Sequence, residues 1–168
     1  KGENNKTFPK SNLIDEIIIA TTESKRDDVI VELANSLMVK SFRGSENDVL
    51  LRYSKASLHL REEVIVRITG DCPFIDPQLL SEGIKLFKEK NYDYLSNCFP
   101  PSFPDGLDFE IFTKNILFEA NKFCKKSEER EHVTPWLRNN KNLKKDVISS
   151  RKDYSNLRWT VDEPEDLE

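Results

Sequence analysis

Short apolar runs alternate with longer stretches of helical period along most of this chain. Ile17-Ile18-Ile19-Ala20 is a compact, largely β-branched run, the pattern of a buried strand. Behind Asp27 and Asp28, both suited to capping a helix, apolar residues recur at Val29, Ile30, Leu33, Ala34 and Leu37. Residues 39–42 predict a second strand. Gly44-Ser45-Glu46-Asn47-Asp48 predicts a turn, with Ser45 and Asp48 as a capping pair for a helix over 48–60. The clearest strand covers 64–68. After Pro73 and Pro77, Leu79, Leu80, Gly83, Ile84 and Phe87 share one face of a helix.

Residues 92–95 predict another strand, followed by a stiff loop containing Pro100, Pro101 and Pro104. Residues 107–112 then alternate. Leu107, Phe109 and Ile111 face one way, Asp108 and Glu110 the other, as in a half-buried edge strand with two carboxylates on its polar side. Helices are predicted over 114–123 and 128–137, short strands over 146–149 and 157–161, and a helix start at Pro164. Residues 1–12 are polar, lack periodicity and predict a loop. Strand and helix alternate without repeats. That order predicts an α/β domain over 13–168 with a mostly parallel sheet.

A chain of 168 residues suffices for one ordinary core. Its net charge of −4 argues against a general nucleic-acid binder, which carries a concentrated basic face. Lys and Arg remain plentiful enough for a local anion pocket. Cys72, Cys98 and Cys124 are widely spaced, form no CxxC pair and predict reduced thiols in a cytoplasmic protein. No apolar stretch is long enough to span a membrane. With only His59 and His132, a histidine-rich metal site is excluded. Neither GxGxxG nor GxxxxGK occurs, so any phosphate must be held by another device.

Two acids remain as candidates for chemistry. Asp71 ends Arg67-Ile68-Thr69-Gly70-Asp71, where Gly70 permits close approach and the aspartate is offered beyond a strand. In open α/β sheets ligands bind at that edge, although a turn or a helix cap also suits the residue. Asp162 follows Arg158-Trp159-Thr160-Val161 and opens Asp162-Glu163-Pro164-Glu165-Asp166, which equally makes a good helix start. If the two carboxylates meet, they suit one Mg²⁺ and, through it, a nucleotide triphosphate.

Five segments occur in a telling order: 42–50 (FRGSENDVL), 67–73 (RITGDCP), 104–110 (PDGLDFE), 130–135 (REHVTP) and 158–166 (RWTVDEPED). Together they resemble the cytidylyltransferase family, in particular its spore-coat polysaccharide biosynthesis protein F group, which is similar to the CMP-3-deoxy-manno-octulosonate synthetases. The likeness runs from about residue 13 to 168. It implies a Rossmann-like α/β/α sandwich of the nucleotide-diphospho-sugar-transferase type. It implies transfer of CMP from CTP to a sugar or sugar acid in surface-polysaccharide synthesis, by in-line attack on the α-phosphate.

The resemblance also assigns residues. Asp71 and Asp162 match the Mg²⁺-binding pair. Arg43, Gly44, Ser45 and Glu46 match a segment near the nucleotide base, with Arg67 and Gly70 also on the nucleotide side. Asp105, Gly106, Asp108, Glu110, Arg130 and His132 would line the acceptor sugar. A homodimer is a candidate assembly, as in related synthetases. Two other readings stay open: a non-catalytic nucleotide-sugar binding or dimerisation module of the same fold, and a nucleotide-sugar glycosyltransferase, whose Asp-x-Asp motif Asp108-Phe109-Glu110 only approximates.

One departure bears on activity. Relatives open with a strand and a basic loop of the form Arg-x-x-Ser-x-Arg-Leu-Pro-Gly-Lys, which wraps the triphosphate. Nothing in 1–12 matches it, so the fold is expected to be truncated at the N-terminus. The chain as written is then expected to bind triphosphate poorly and to be weak or inactive alone.

Overall fold

The computed structural model describes residues 13–167; the loop expected over 1–12 lies outside them. Among the described residues six strands form two sheets. In the first, β1 (Ile18–Thr22) and β2 (Lys40–Gly44) run parallel, with Ala20 opposite Phe42. A crossover through α1 (Asp28–Ser36) joins them, the connection that parallel pairing demands.

The second sheet comprises β3 (Val64–Arg67), β4 (Tyr94–Ser96), β5 (Glu110–Thr113) and β6 (Lys145–Val147), in the order β3-β5-β4-β6. β4 and β6 are parallel, whereas β5 runs antiparallel to both β3 and β4. The chain between β4 and β5 contains no helix, and a direct return of that kind lays the next strand down antiparallel. The remaining helices are α2 (Val49–Ser57), α3 (Pro77–Lys90), α4 (Lys114–Phe123), α5 (Ser127–His132) and α6 (Pro135–Asn139).

Strand alternation divides the core between two faces. Ile65, Tyr94 and Phe112 cluster with Leu50 of α2, Leu117 of α4 and Leu137 of α6. Leu95 and Ile111 cluster with Leu80, Ile84 and Phe87 of α3, and Val64 and Val66 pack against them. Helices thus cover both faces of the second sheet, the α/β/α layering expected. Asp48 caps α2, accepting from the Leu51 N–H at 2.9 Å, while Ser45 Oγ accepts from the Asp48 N–H at 3.0 Å. Asp76 caps α3 ahead of Pro77, and Asn91, in the left-handed region, closes it.

Three expectations need correction. The helix over 128–137 is two short helices, because Val133 turns with φ 68° and Pro135 has no N–H to continue the ladder. Residues 157–161 make no ladder and meet the fold through an isolated bridge from Arg158 to Asp105. β5 is an inner strand covered on both faces, so its polar side is not solvent-facing and Glu110 is only 2 % exposed. All three cysteines are free and buried. Among the described residues no helix is long and apolar enough to cross a membrane.

Candidate functional site

The chain leaves β3 and turns at once. The Cys72 N–H donates to the Thr69 carbonyl at 3.3 Å, which presents Asp71, half-buried, beyond the strand's carboxyl end. The Val161 N–H donates to the Asp71 carbonyl at 2.9 Å, so the backbone of Asp162 lies one residue from that contact. The same segment is stitched to a second loop. The Asp105 N–H donates to the Leu157 carbonyl at 3.0 Å, and the Trp159 N–H donates to the Asp105 carbonyl at 2.6 Å. Loops after β3, before β5 and after β6 therefore converge on one place.

Gly106 makes that convergence possible. Its φ is 108°, and a Cβ there would stand 2.6 Å from the Trp159 carbonyl carbon. The residue expected to touch sugar is instead where two backbones pack. At Gly70 an added Cβ meets nothing within 4 Å, so neither packing nor a positive φ demands the glycine.

Asp162 is not the cap of the turn that follows it. Asp166 accepts from the N–H groups of Asp162 (2.8 Å) and Glu163 (3.0 Å) and binds Arg158 through both oxygens. Those donors, the Arg158 guanidinium first, hold the Asp166 carboxyl well below the usual range. Asp162 Oδ2 accepts from Arg158 Nη2 at 2.7 Å and Thr160 Oγ1 at 3.0 Å. Asp71 is freer, with a long contact of 3.8 Å from the Cys72 thiol. Among the described residues no cluster of three or more His, Cys, Asp and Glu is poised for a metal. Two carboxylates on converging segments nevertheless fit Mg²⁺, which keeps several waters and takes other ligands from phosphate.

Glu110 is sealed. Its Oε2 accepts from Arg67 Nη1 at 2.5 Å and its Oε1 from the Tyr94 hydroxyl at 2.6 Å. Burial, the largest influence, opposes the charge on Arg67, but Glu110 together with Tyr53 and Cys98 outweighs it and raises the guanidinium's proton affinity. The sugar contact expected of Glu110 is therefore corrected: both oxygens are engaged inside the sheet. This also removes the second acid from the approximate Asp-x-Asp motif. Asp108 differs: its carboxylate has no hydrogen-bond partner among the described residues, although its backbone bonds the Cys72 sulfur. Burial, reinforced by Asp105, Glu110 and Asp71, raises its carboxyl to about 6.

A larger cavity of about 510 Å³ opens beside the carboxyl ends of β1 and β2. The expected base-side segment lines it: Arg43, Gly44, Ser45 and Glu46 are all on its wall. Arg43, however, donates to the Thr22 carbonyl (2.8 Å), the Ser24 carbonyl (2.6 Å) and Asp28 (2.6 Å), so its cation braces the turn after β1. Two cations that the sequence reading passed over share the wall. Arg52 donates to the Ser45 carbonyl at 2.6 Å and keeps a buried Nε without a partner, and Lys55 stands one turn on. Their signal was helical spacing, three apart on the helix that the turn caps.

Arg130 and His132 lie elsewhere. Arg130 bonds Asp48 (2.7 Å), the carbonyls of Asn121 and Cys124 (each 3.1 Å) and Asn121 Oδ1 (2.7 Å). It bolts α5 and the end of α4 to the cap of α2, which corrects its expected sugar contact. His132 is exposed at the end of α5 and does not line this cavity.

The sequence profile of the cytidylyltransferase family matches residues 6–167. The chain belongs to the cytidylyltransferase family. It is 42% identical over 161 residues to the uncharacterized protein MJ1063 of Methanocaldococcus jannaschii, covering 94% of this chain and 65% of that protein. It is 31% identical over 160 residues to the spore coat polysaccharide biosynthesis protein SpsF of Bacillus subtilis, covering 92% of this chain and 65% of SpsF. A solved cytidylyltransferase from Leptospira borgpetersenii superposes with a TM-score of 0.85 at 37% identity, covering 89% of this chain and 64% of that one. The chain thus spans about 65% of the length of the curated relatives it matches.

Proposed function

We propose that residues 13–168 form the nucleotide- and acceptor-binding part of a Mg²⁺-dependent cytidylyltransferase that moves CMP from CTP to a sugar in surface-polysaccharide synthesis. The observation that carries the reading is the Val161-to-Asp71 hydrogen bond. It joins the backbone of Asp71 to the residue before Asp162, which supports a shared site for the two acids in a chain of this family. Asp71 and Asp162 would hold the ion, and the ion would neutralise charge on the α-phosphate. Asp162 is kept in place by Arg158 and Thr160. The 510 Å³ cavity receives the base, where Ser45 and Glu46 offer polar edges and Arg52 and Lys55 offer positive charge. Protein-side catalysis is then mostly positioning and charge stabilisation.

Titration calorimetry with CTP, with and without Mg²⁺, tests the reading. Mg²⁺ should tighten CTP binding, and Asp71→Asn should lose about tenfold or more of that gain while Mg²⁺-free binding stays constant. Identical Mg²⁺ dependence in the wild type, Asp71→Asn and Asp162→Asn would overturn it.

A further inference from the structure

β3 and β5 pair from Val64 opposite Thr113 to Arg67 opposite Glu110, so the last rung of their ladder carries the buried ion pair. Both chains leave the sheet at that rung. Beyond β3, Asp71 follows Arg67 by four residues. Before β5 comes the loop of Asp105, whose backbone bonds those of Leu157 and Trp159, and Trp159 is three residues from Asp162. One pair of side chains thus joins the roots of two loops: one carries Asp71, and the other is stitched to the segment that leads to Asp162.

The pair is held from several sides. Glu110 accepts from Arg67 Nη1 with one oxygen and from the Tyr94 hydroxyl of β4 with the other. The Arg67 guanidinium lies over the Tyr53 ring of α2, 5.9 Å from its centroid. Three strands and a helix therefore meet at one carboxylate, which has no oxygen to spare for a substrate.

Stability is a poor reason for this arrangement. Arg67 Nε is buried without a hydrogen-bond partner. A buried ion pair is often no more stabilising than apolar side chains of the same volume. It does supply direction, because charge-assisted hydrogen bonds fix distances and angles that apolar contacts leave loose. The end of a ladder is also where strands fray, and fraying at this rung would let the two loops drift apart. Group transfer tolerates little drift, since a misplacement of about 1 Å can cost about 100-fold in rate.

We infer that Arg67 and Glu110, with Tyr94 behind them, are positioning residues: their ion pair clamps the last rung of β3 and β5 and so sets the spacing between Asp71 and the segment that carries Asp162. This rests on the nucleotidyl-transfer reading above and adds the residues that hold its metal edge in register.

The test compares the wild type with Arg67→Met/Glu110→Gln, which removes both charges at similar volume, and with Arg67→Lys, which keeps a cation opposite Glu110. Melting temperature, amide hydrogen exchange and CTP titrations with and without Mg²⁺ are measured on the full chain. The double variant should melt within about 5 °C of the wild type. Its Val161 and Trp159 amides should exchange about tenfold faster or more, while the amides of α3 keep their rates. The gain in CTP affinity from Mg²⁺ should fall about tenfold, with Mg²⁺-free affinity unchanged. Arg67→Lys should restore slow exchange and most of that gain. Wild-type exchange at Val161 and Trp159 in the double variant, a full Mg²⁺ gain there, or Arg67→Lys as impaired as the double variant would each overturn the inference. If the double variant fails to fold, Tyr94→Phe decides: it should show the same pattern at about two- to threefold, and wild-type behaviour overturns the inference. The exchange measurement needs no nucleotide, which separates the two proposals. Faster exchange in the double variant with no Mg²⁺ gain in the wild type breaks the transfer reading and leaves the clamp; a wild-type Mg²⁺ gain with unchanged exchange breaks only the clamp.

Discussion

The two sheets carry helices of similar pattern and very different fate. α3 buries Leu80, Gly83, Ile84 and Phe87 against the second sheet. α1 has an equally apolar face, yet buries Ala34 alone and leaves Val29 66%, Leu33 58% and nearby Met38 94% exposed. The strands match the contrast. Ile111 and Phe112 of β5 are fully buried, whereas Ile17, just before β1, is 43% exposed. An amphipathic pattern states which face seeks cover; it does not state that the cover belongs to the described residues. The second sheet holds the core, and the backbones of Asp71 and Val161 meet just beyond the end of its strand β3.

Substitutions can break this contrast, beginning where burial is deepest. Phe112→Ala should destabilise the protein by about 3–5 kcal/mol in urea denaturation, through lost burial and the cavity left behind. A cost under 1 kcal/mol would mean that the second sheet is no firmer than the first. Glu110→Gln comes next, at about 3 kcal/mol, because it strands the Arg67 cation beneath the sheet edge. Here the informative control is Arg67→Met with Glu110→Gln; if the double variant is no more stable than Glu110→Gln alone, the ion pair is not the cause. Gly106→Ala should cost about 2 kcal/mol, from a φ that alanine adopts with strain and a collision with the Trp159 backbone.

A smaller effect depends on pH. The folded carboxyl of Asp108 sits at about 6, above the ~3.9 of an unfolded aspartate. Between those values the folded state holds a proton that the unfolded chain has released. This group therefore adds stability as pH falls from about 7 towards 4 and withdraws it as pH rises. Asp108→Asn should remove that slope and stabilise the protein at pH 8 by about 1–2 kcal/mol, the figure being reduced by solvent screening. A denaturation series in which Asp108→Asn keeps the wild-type slope would count against the assignment. The smallest change belongs to the first sheet: Leu33→Ala, on the open face of α1, should shift stability by about 0.5 kcal/mol or less.

Much of the second sheet was legible in advance. α4 matches its sequence range, and the period-two runs locate β3 and β5 to within a few residues. Asp71 was legible because a strand, a glycine and an acid in succession place a side chain at a sheet edge. Arg130 and Glu110 were misread for a shared reason. A charged residue in a motif looks available, and its availability depends on partners far away in the chain. Arg130 meets Asp48 across 82 positions, and Arg67 meets Glu110 across 43. Phe99 lies in a loop whose shape local sequence does not fix, and the cation over its ring comes from Arg138 in α6.

By itself the sequence determined the local facts: which runs extend, which coil, where caps and turns fall, and, through its ordered segments, the family. Those follow from nearest-neighbour sterics, hydrogen bonding and side-chain periodicity. Only the tertiary structure decided that Glu110 is sealed, that Arg43 and Arg130 are braces, that the Asp108 carboxylate is left without a hydrogen bond among the described residues, and that the backbone of Val161 meets that of Asp71. Pairing between distant residues sets each of these, and it is closed by packing that no local window of sequence contains.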